Sequence, residues 1–310
     1  MITYDHFYYL HNAIVGVLNQ ECNFDFELII SDDCSPINPI ESINVFKNHK
    51  NFKKIKFYRH SVNKGPTENF LWSLNQCKGE YIAQCEGDDY WIDPLKLQKQ
   101  VDFLEANNNF VLCASNTRIS INSILIDENQ SVYYKQETIL NSNNIISDFT
   151  FNPIPTATSL FRSSALKLVD FDFLKKCVMA DWLLMLEMSK IGNIYFFKDF
   201  FSVYRIHENG IWSRKNSVDK KIEVIQFYLL IIDKYPEYKI LCDQQIIKII
   251  EDIITESNYK VEQFFIEKIE QLKNETNQRD FILHNFSLKD IFLILFEKIK
   301  ISFKLNFHIF

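Results

Sequence analysis

Two short acidic clusters could hold a cation: Ser31-Asp32-Asp33-Cys34-Ser35 and Glu86-Gly87-Asp88-Asp89. Adjacent carboxylates repel one another unless a cation or hydrogen-bond donors relieve them. Mg²⁺ and Mn²⁺ take oxygen ligands and keep positions open for substrate phosphates, so such a turn suits a metal that in turn grips a phosphorylated ligand. Asp-rich turns also arise without metal, because Asp caps helices and tolerates turns. Function is favoured by the repetition, since each cluster directly follows an apolar run, Leu28-Ile29-Ile30 or Tyr81-Ile82-Ala83-Gln84-Cys85. Two further titratable residues, Asp181, ahead of Trp182-Leu183-Leu184-Met185-Leu186, and His207, take a chemical reading only from the longer motifs around them. Each has a structural reading beside the chemical one, Asp181 as a helix N-cap and His207 as a packed side chain.

The elements that position these residues follow from apolar spacing. Leu10, Ile14, Val17 and Leu18 form a helical stripe, as do Phe70, Leu71, Leu74 and Cys77. Strands are predicted at 27–31, 55–58 and 81–85, giving the order β-α-β-α-β-α-β, the pattern of a mainly parallel sheet flanked by helices. In such sheets ligands bind beyond the carboxyl ends of the strands, so both acidic clusters face one crevice. Asp93-Pro94 predicts a helix start, with Asp as cap and Pro at the first position. The Asn- and Ser-rich stretch 116–150 reads as an excursion from the sheet. Beyond about residue 215 the text turns Ile- and Lys-rich without glycine, which divides the chain into an α/β domain, 1–214, and a mostly helical extension, 215–310. Only Met1 and Ile2 precede Thr3-Tyr4, where a strand of about five to six residues is expected, so the first strand reads as truncated.

The composition narrows the function classes. A formal net charge of −6 argues against a nucleic-acid partner, whose phosphates require clustered Lys and Arg. Seven cysteines, an odd number with no CxxC, argue against a disulfide framework and for a reducing cytosol. The longest apolar runs, 227–232 and 291–296, fall far short of the roughly 20 residues that span a bilayer, and the N-terminus lacks a signal-peptide pattern. No GxGxxG follows the first strand, which counts against a dinucleotide dehydrogenase. The first glycine, Gly16, lies inside a helical stripe, which counts against the phosphate loop of a sugar nucleotidyltransferase. Ile291, Leu295, Ile299 and Phe303 share a stripe if the last helix continues, flanked by lysines that suit anionic headgroups. Peripheral membrane contact through 288–310, packing on the α/β domain and a homodimer contact are open alternatives there.

Several ordered motifs, LNQECNFDFELIISDDCS, the Asn63-Lys64-Gly65 turn, KGEYIAQCEGDDYWIDPLKL, DWLLMLEMSKIG and YRIHENGIWS, together resemble glycosyltransferase family 2, from Ile2 to about Ser213. The resemblance implies a GT-A fold and an inverting, metal-assisted transfer of sugar from a nucleoside-diphosphate donor, typically a UDP-sugar. The acceptor it implies is a hydroxyl of a glycan or lipid-linked molecule in bacterial surface-polysaccharide assembly, on the cytoplasmic side. By the same resemblance Thr3 and Tyr4 line the nucleotide pocket, Asp33 accepts from the base and Lys64 contacts the nucleotide. Glu86, standing where the family usually has Asp, opens an element in which Asp88 and Asp89 meet ribose and a divalent Mn²⁺ or Mg²⁺. Asp181 matches the catalytic base, and His207 reaches the metal or the diphosphate. A chain that binds nucleotide sugar but has lost catalysis and acts as a scaffold is the alternative.

Overall fold

The stripe of Leu10, Ile14, Val17 and Leu18 forms a helix buried along that face, and the run that follows it forms a fully buried strand. The computed structural model describes residues 1–127, 133–147 and 152–257. Residues 1–246 form one compact unit and 247–310 a second, of which only the helical residues 247–257 are described.

In chain order the first unit opens with β1 (Ile2–Thr3), α1 (Leu10–Leu18), β2 (Leu28–Asp32), α2 (Ile40–Asn44), β3 (Ile55–Arg59), α3 (Pro66–Gln76) and β4 (Tyr81–Ala83). Then come β5 (Tyr90–Trp91), α4 (Lys96–Ala106), β6 (Phe110–Ile121), β7 (Ile124–Leu125), β8 (Thr138–Leu140) and α5 (Ser142–Ile146). The remainder is β9 (Leu160–Arg162), α6 (Ser163–Leu166), α7 (Phe171–Leu174), α8 (Ala180–Ile191), β10 (Asn193–Ile206), α9 (Ser217–Lys234) and α10 (Lys239–Ser257), the last crossing into the second unit. The fold is α/β with a helical C-terminal part.

Strands β1, β2 and β3 form a parallel sheet in that order. A second, mixed sheet runs β4-β9-β6-β10-β5, and its long parallel pair β6 and β10 carries the chain from Asn193 opposite Phe110 to Ile206 opposite Ile121. The Gly87 amide donates to the Ile2 carbonyl at 2.9 Å, which ties the second acidic turn to β1. Leu10, Ile14 and Leu18 of α1 pack with Ile30, Trp91 and Leu104 in the core beneath that seam. Helix α8 is buried from Trp182 through Met188, as expected of an apolar helix inside a fold. Trp182 stacks on Phe227 of α9 at 4.1 Å between ring centroids, and Tyr228 donates to the Ile146 carbonyl.

Two local expectations are corrected. Residues 116–121 do not leave the sheet: they continue β6 against β10, because tertiary partners satisfy their polar side chains. Asn116 accepts from the Tyr133 and Tyr134 amides and donates to the Lys198 carbonyl, and Thr117 pairs with Ser202 at 2.8 Å. The helix expected at Asp93-Pro94 begins at Lys96 instead, since Asp93 accepts from the Leu95 amide and pairs with Lys99, closing a turn before the helix. The tail reading at 288–310 lies outside the described residues. Among those residues no helix is long and apolar enough to cross a membrane.

Gly16 exists for a close approach. A Cβ there would stand 2.7 Å from the Trp91 carbonyl oxygen and 2.8 Å from its amide nitrogen, both backbone atoms that cannot swing aside. Exchange of Gly for Ala inside a helix ordinarily stabilises by about 1 kcal/mol. Here overpacking should reverse the sign, so Gly16→Ala should destabilise the chain by about 1–2 kcal/mol in urea unfolding. A more stable variant would contradict the close contact.

Lys96 is fully buried, its ammonium 2.7 Å from Gln100 Oε1 and 4.3 Å from the centre of the Trp91 ring. Burial pushes its pKa down to about 7. The unfolded chain keeps this proton to about pH 10.5 and the folded chain releases it above about 7, so the group's stability penalty, full at and below pH 7, fades as pH rises. Measured against Lys96→Met, which has no such proton, the wild type should gain about 1 kcal/mol per pH unit between pH 7 and 9. A constant difference between the two unfolding curves would show that Lys96 stays charged in the fold.

Candidate active site

At the carboxyl end of β1 the chain turns sharply, with Asp5 in the left-handed region at φ 57°. For a residue other than glycine that conformation is strained and needs support. Support comes from Ser35, whose Oγ accepts from the Asp5 amide at 2.9 Å while donating to the buried Asp32 carboxylate. Arg59 completes this brace, 3.0 Å from Asp32 and donating to the Ser35 carbonyl. The turn delivers His6 to the acidic element, Nε2 standing 3.4 Å from Asp88 Oδ2. From the other side, His207 at the end of β10 places its own Nε2 3.2 Å from the same oxygen. Gly87 permits the assembly, because a Cβ there would lie 2.8 Å from Thr3 Oγ1.

His6, Asp88 and His207 therefore form a cluster able to hold a metal ion, with ligand atoms all within 4.8 Å of one another. Nδ1 of both imidazoles is buried without a hydrogen-bond partner. Burial pushes the His6 pKa down, which favours the neutral, ligating imidazole. Burial opposes ionisation of Asp88, but His6 and then His207 outweigh it and hold the carboxyl below its ordinary value. Asp89 turns away from the cluster. Its Oδ1 accepts from the Arg205 amide at 2.9 Å, and burial, reinforced by Asp88 and Glu86, raises its pKa well above the usual range. Glu86 is raised to about 8, first by burial and then by the charges of Asp88 and Asp181, and its Oε2 is buried without a partner.

These groups surround one cavity of about 750 Å³. Thr3, Tyr4 and Asp33 line it at the end of the parallel sheet, Glu86, Asp88 and Asp89 line the acidic turn, and Asp181 lines it from α8. Asp33 is buried, its two carboxylate oxygens accepting from the Lys64 and Gly65 amides at 2.8 and 2.9 Å. That clasp fixes the Asn63-Lys64-Gly65 turn, where Gly65 has φ 86°. Lys64 thus joins the site through its backbone. The carboxylate of Asp181 caps no helix: α8 starts at Ala180 after Met179, and Asp181 Oδ2 accepts from Thr156 Oγ1 at 2.7 Å and Asn152 Nδ2 at 3.1 Å.

Of the residues read from sequence, Thr3, Tyr4, Asp33, Glu86, Asp88, Asp89 and Asp181 share the cavity, and His207 backs it through Asp88. His6, Asn152 and Thr156 escaped that reading. The strand-end argument that singled out Tyr4 extends to His6 two residues on, whereas no local pattern marks Asn152 or Thr156.

A parallel half-sheet abutting an acidic turn, with a mixed sheet behind the cavity, is the arrangement of the GT-A fold. A family model described as Glycosyl transferase family 2 matches residues 1–177, and the chain belongs to that family. It is 30% identical over 214 residues, 68% of its length, to the uncharacterized protein Rv1520 of Mycobacterium tuberculosis, and spans 59% of that relative. With the abequosyltransferase RfbV of Salmonella typhimurium it shares 40% identity over 88 residues, 28% of this chain and 26% of the relative. Among solved structures it resembles S. aureus TarS 1–349 in complex with UDP-GlcNAc, at a TM-score of 0.56 and 20% identity, over 74% of this chain and 65% of that one. It also resembles the mannosyltransferase PcManGT of Pyrobaculum calidifontis in complex with GDP-Man and Mn²⁺, at a TM-score of 0.54 and 10% identity, over 87% and 78% of the chains. The last two likenesses concern the fold.

Proposed function

We propose that residues 1–214 form a catalytic domain that moves a sugar, with inversion, from a UDP-sugar to a hydroxyl of a glycan or lipid-linked acceptor, with 215–310 as its extension. One observation carries the reading: a candidate metal cluster, Thr3, Tyr4 and Asp33 at the ends of β1 and β2, and a carboxylate on α8 border the same cavity. The nucleotide sugars in the TarS and PcManGT structures, and the Mn²⁺ in the latter, support it.

His6, Asp88 and His207 fit a divalent cation. Two imidazoles with one carboxylate lean toward Mn²⁺ over Mg²⁺, which favours oxygen ligands. When bound, the ion neutralises charge on the departing diphosphate. The chain's own residues do the rest. Asp33 holds the Lys64-Gly65 turn in place, Thr3 and Tyr4 shape the base end, and Asp181 takes the proton of the attacking hydroxyl as the new bond forms.

The test is release of UDP from a panel of UDP-sugars in the presence of Mn²⁺ and glycan or lipid-linked acceptors, with the product anomer assigned by NMR. Metal-dependent release with an inverted product is expected. Donor binding with no release for any acceptor would favour the scaffold reading, and a retained anomer would remove the single-displacement mechanism.

A further inference from the structure

The contacts of Asp181 divide its carboxylate into two unlike oxygens. Oδ2 accepts from both Thr156 and Asn152, while Oδ1 accepts no hydrogen bond from the described residues. Both donors are themselves fixed. The Asn152 amide is oriented by the Ile154 amide, which donates to Asn152 Oδ1 at 3.1 Å and leaves Nδ2 for Asp181. Thr156 rides on a segment, 155–159, that is pinned from several directions. Trp91 Nε1 donates to the Ala157 carbonyl at 2.8 Å, Gln100 Nε2 to the Thr158 carbonyl at 2.8 Å, and Ser159 Oγ to Gln84 Oε1 at 2.6 Å. The Ser115 amide reaches Thr158 Oγ1, which itself donates to the Pro155 carbonyl. Even the buried Lys96 serves this platform, since its bond to Gln100 Oε1 decides which end of that amide faces Thr158.

So rigid an arrangement around one oxygen has a chemical use. A carboxylate on the first turn of a helix rotates about its χ angles, and an acceptor hydroxyl is deprotonated efficiently only by an oxygen already in place. We infer that Thr156 and Asn152 are positioning residues that clamp Asp181 by Oδ2, so that Oδ1 is the atom that takes the acceptor's proton. The inference rests on the reading of Asp181 as the base. In the step, the acceptor oxygen bonds to the anomeric carbon as its proton passes to Oδ1. The bond from that carbon to the diphosphate breaks, and its electron pair leaves with the diphosphate.

Thr156→Val keeps the shape and removes the hydroxyl. With the full chain, Mn²⁺ and UDP-GlcNAc, or whichever donor the panel above shows to be turned over, it should lower kcat by about ten- to a hundredfold, while the donor KM stays within about twofold. Thr156→Ser, which restores a donor, should recover most of the loss. The decisive comparison is a double-mutant cycle: on an Asp181→Asn background, Thr156→Val should cost nothing further, because it acts only through that carboxylate. Equal fractional losses on both backgrounds, or a matching rise in donor KM, would assign Thr156 a structural role and overturn the inference. So would unchanged kcat in a folded Thr156→Val, Asn152→Leu variant. Failure of the base reading looks different, since Asp181→Asn itself would then keep its turnover.

Discussion

Asp181→Asn should bind donor and Mn²⁺ much as the wild type does, yet turn over more slowly by about 10²–10⁴-fold, the usual span for a lost acid or base. The environment makes the substitution informative. Asp181 caps no helix, so no cap is lost, and its Oδ2 can be replaced by a carboxamide oxygen that still accepts from Thr156 and Asn152. What disappears is the capacity to accept a proton. Calorimetric titration with donor and Mn²⁺ separates binding from chemistry, and single-turnover rates then report the chemistry. A folded Asp181→Asn chain with near-normal turnover would remove Asp181 from the mechanism.

The two aspartates of the acidic turn should part company. Asp88→Asn leaves His6 and His207 without the one anionic ligand between them, so Mn²⁺-supported donor affinity should fall by at least about a hundredfold, given that losing a mere outer-sphere partner costs about 10–100-fold. Asp89→Asn should cost far less. Asp89 faces the Arg205 amide and not the histidines, burial raises its pKa, and Asn keeps an oxygen for that amide. Donor titrations with and without Mn²⁺ on both variants decide the matter. Equal loss from both would place Asp89 on the metal, and full affinity in Asp88→Asn would dissolve the cluster as a metal site. His6→Ala offers a third arm, and a Mn²⁺ affinity unchanged by it would reduce the site to Asp88 and His207.

Adjacency and period in the chain determined a good part of this protein. The apolar runs before Asp32 and Gly87 are strands because their residues pair and bury, and chain direction alone then sends both acidic clusters to the cavity end of the sheets. The stripe around Leu10 and the apolar block after Asp181 are likewise helices whose spacing is local information. Tertiary structure decided what spacing cannot encode. Which of two neighbouring aspartates joins His6 and His207 depends on an amide 116 residues away, because Arg205 occupies Asp89 and leaves Asp88 to the histidines. His6 gains its meaning from a turn braced by Ser35, Asp32 and Arg59, three residues on other elements. Residues 116–121 look like loop because their side chains are polar, and they stand in the sheet because Tyr133, Ser202 and Lys198 supply the partners. Thr156 and Asn152 meet Asp181 across 25 and 29 residues of chain with no periodicity to announce it. The division follows from range: propensity and burial act over a few neighbouring residues, whereas a buried polar group takes its role from whichever partner the fold brings within hydrogen-bonding distance.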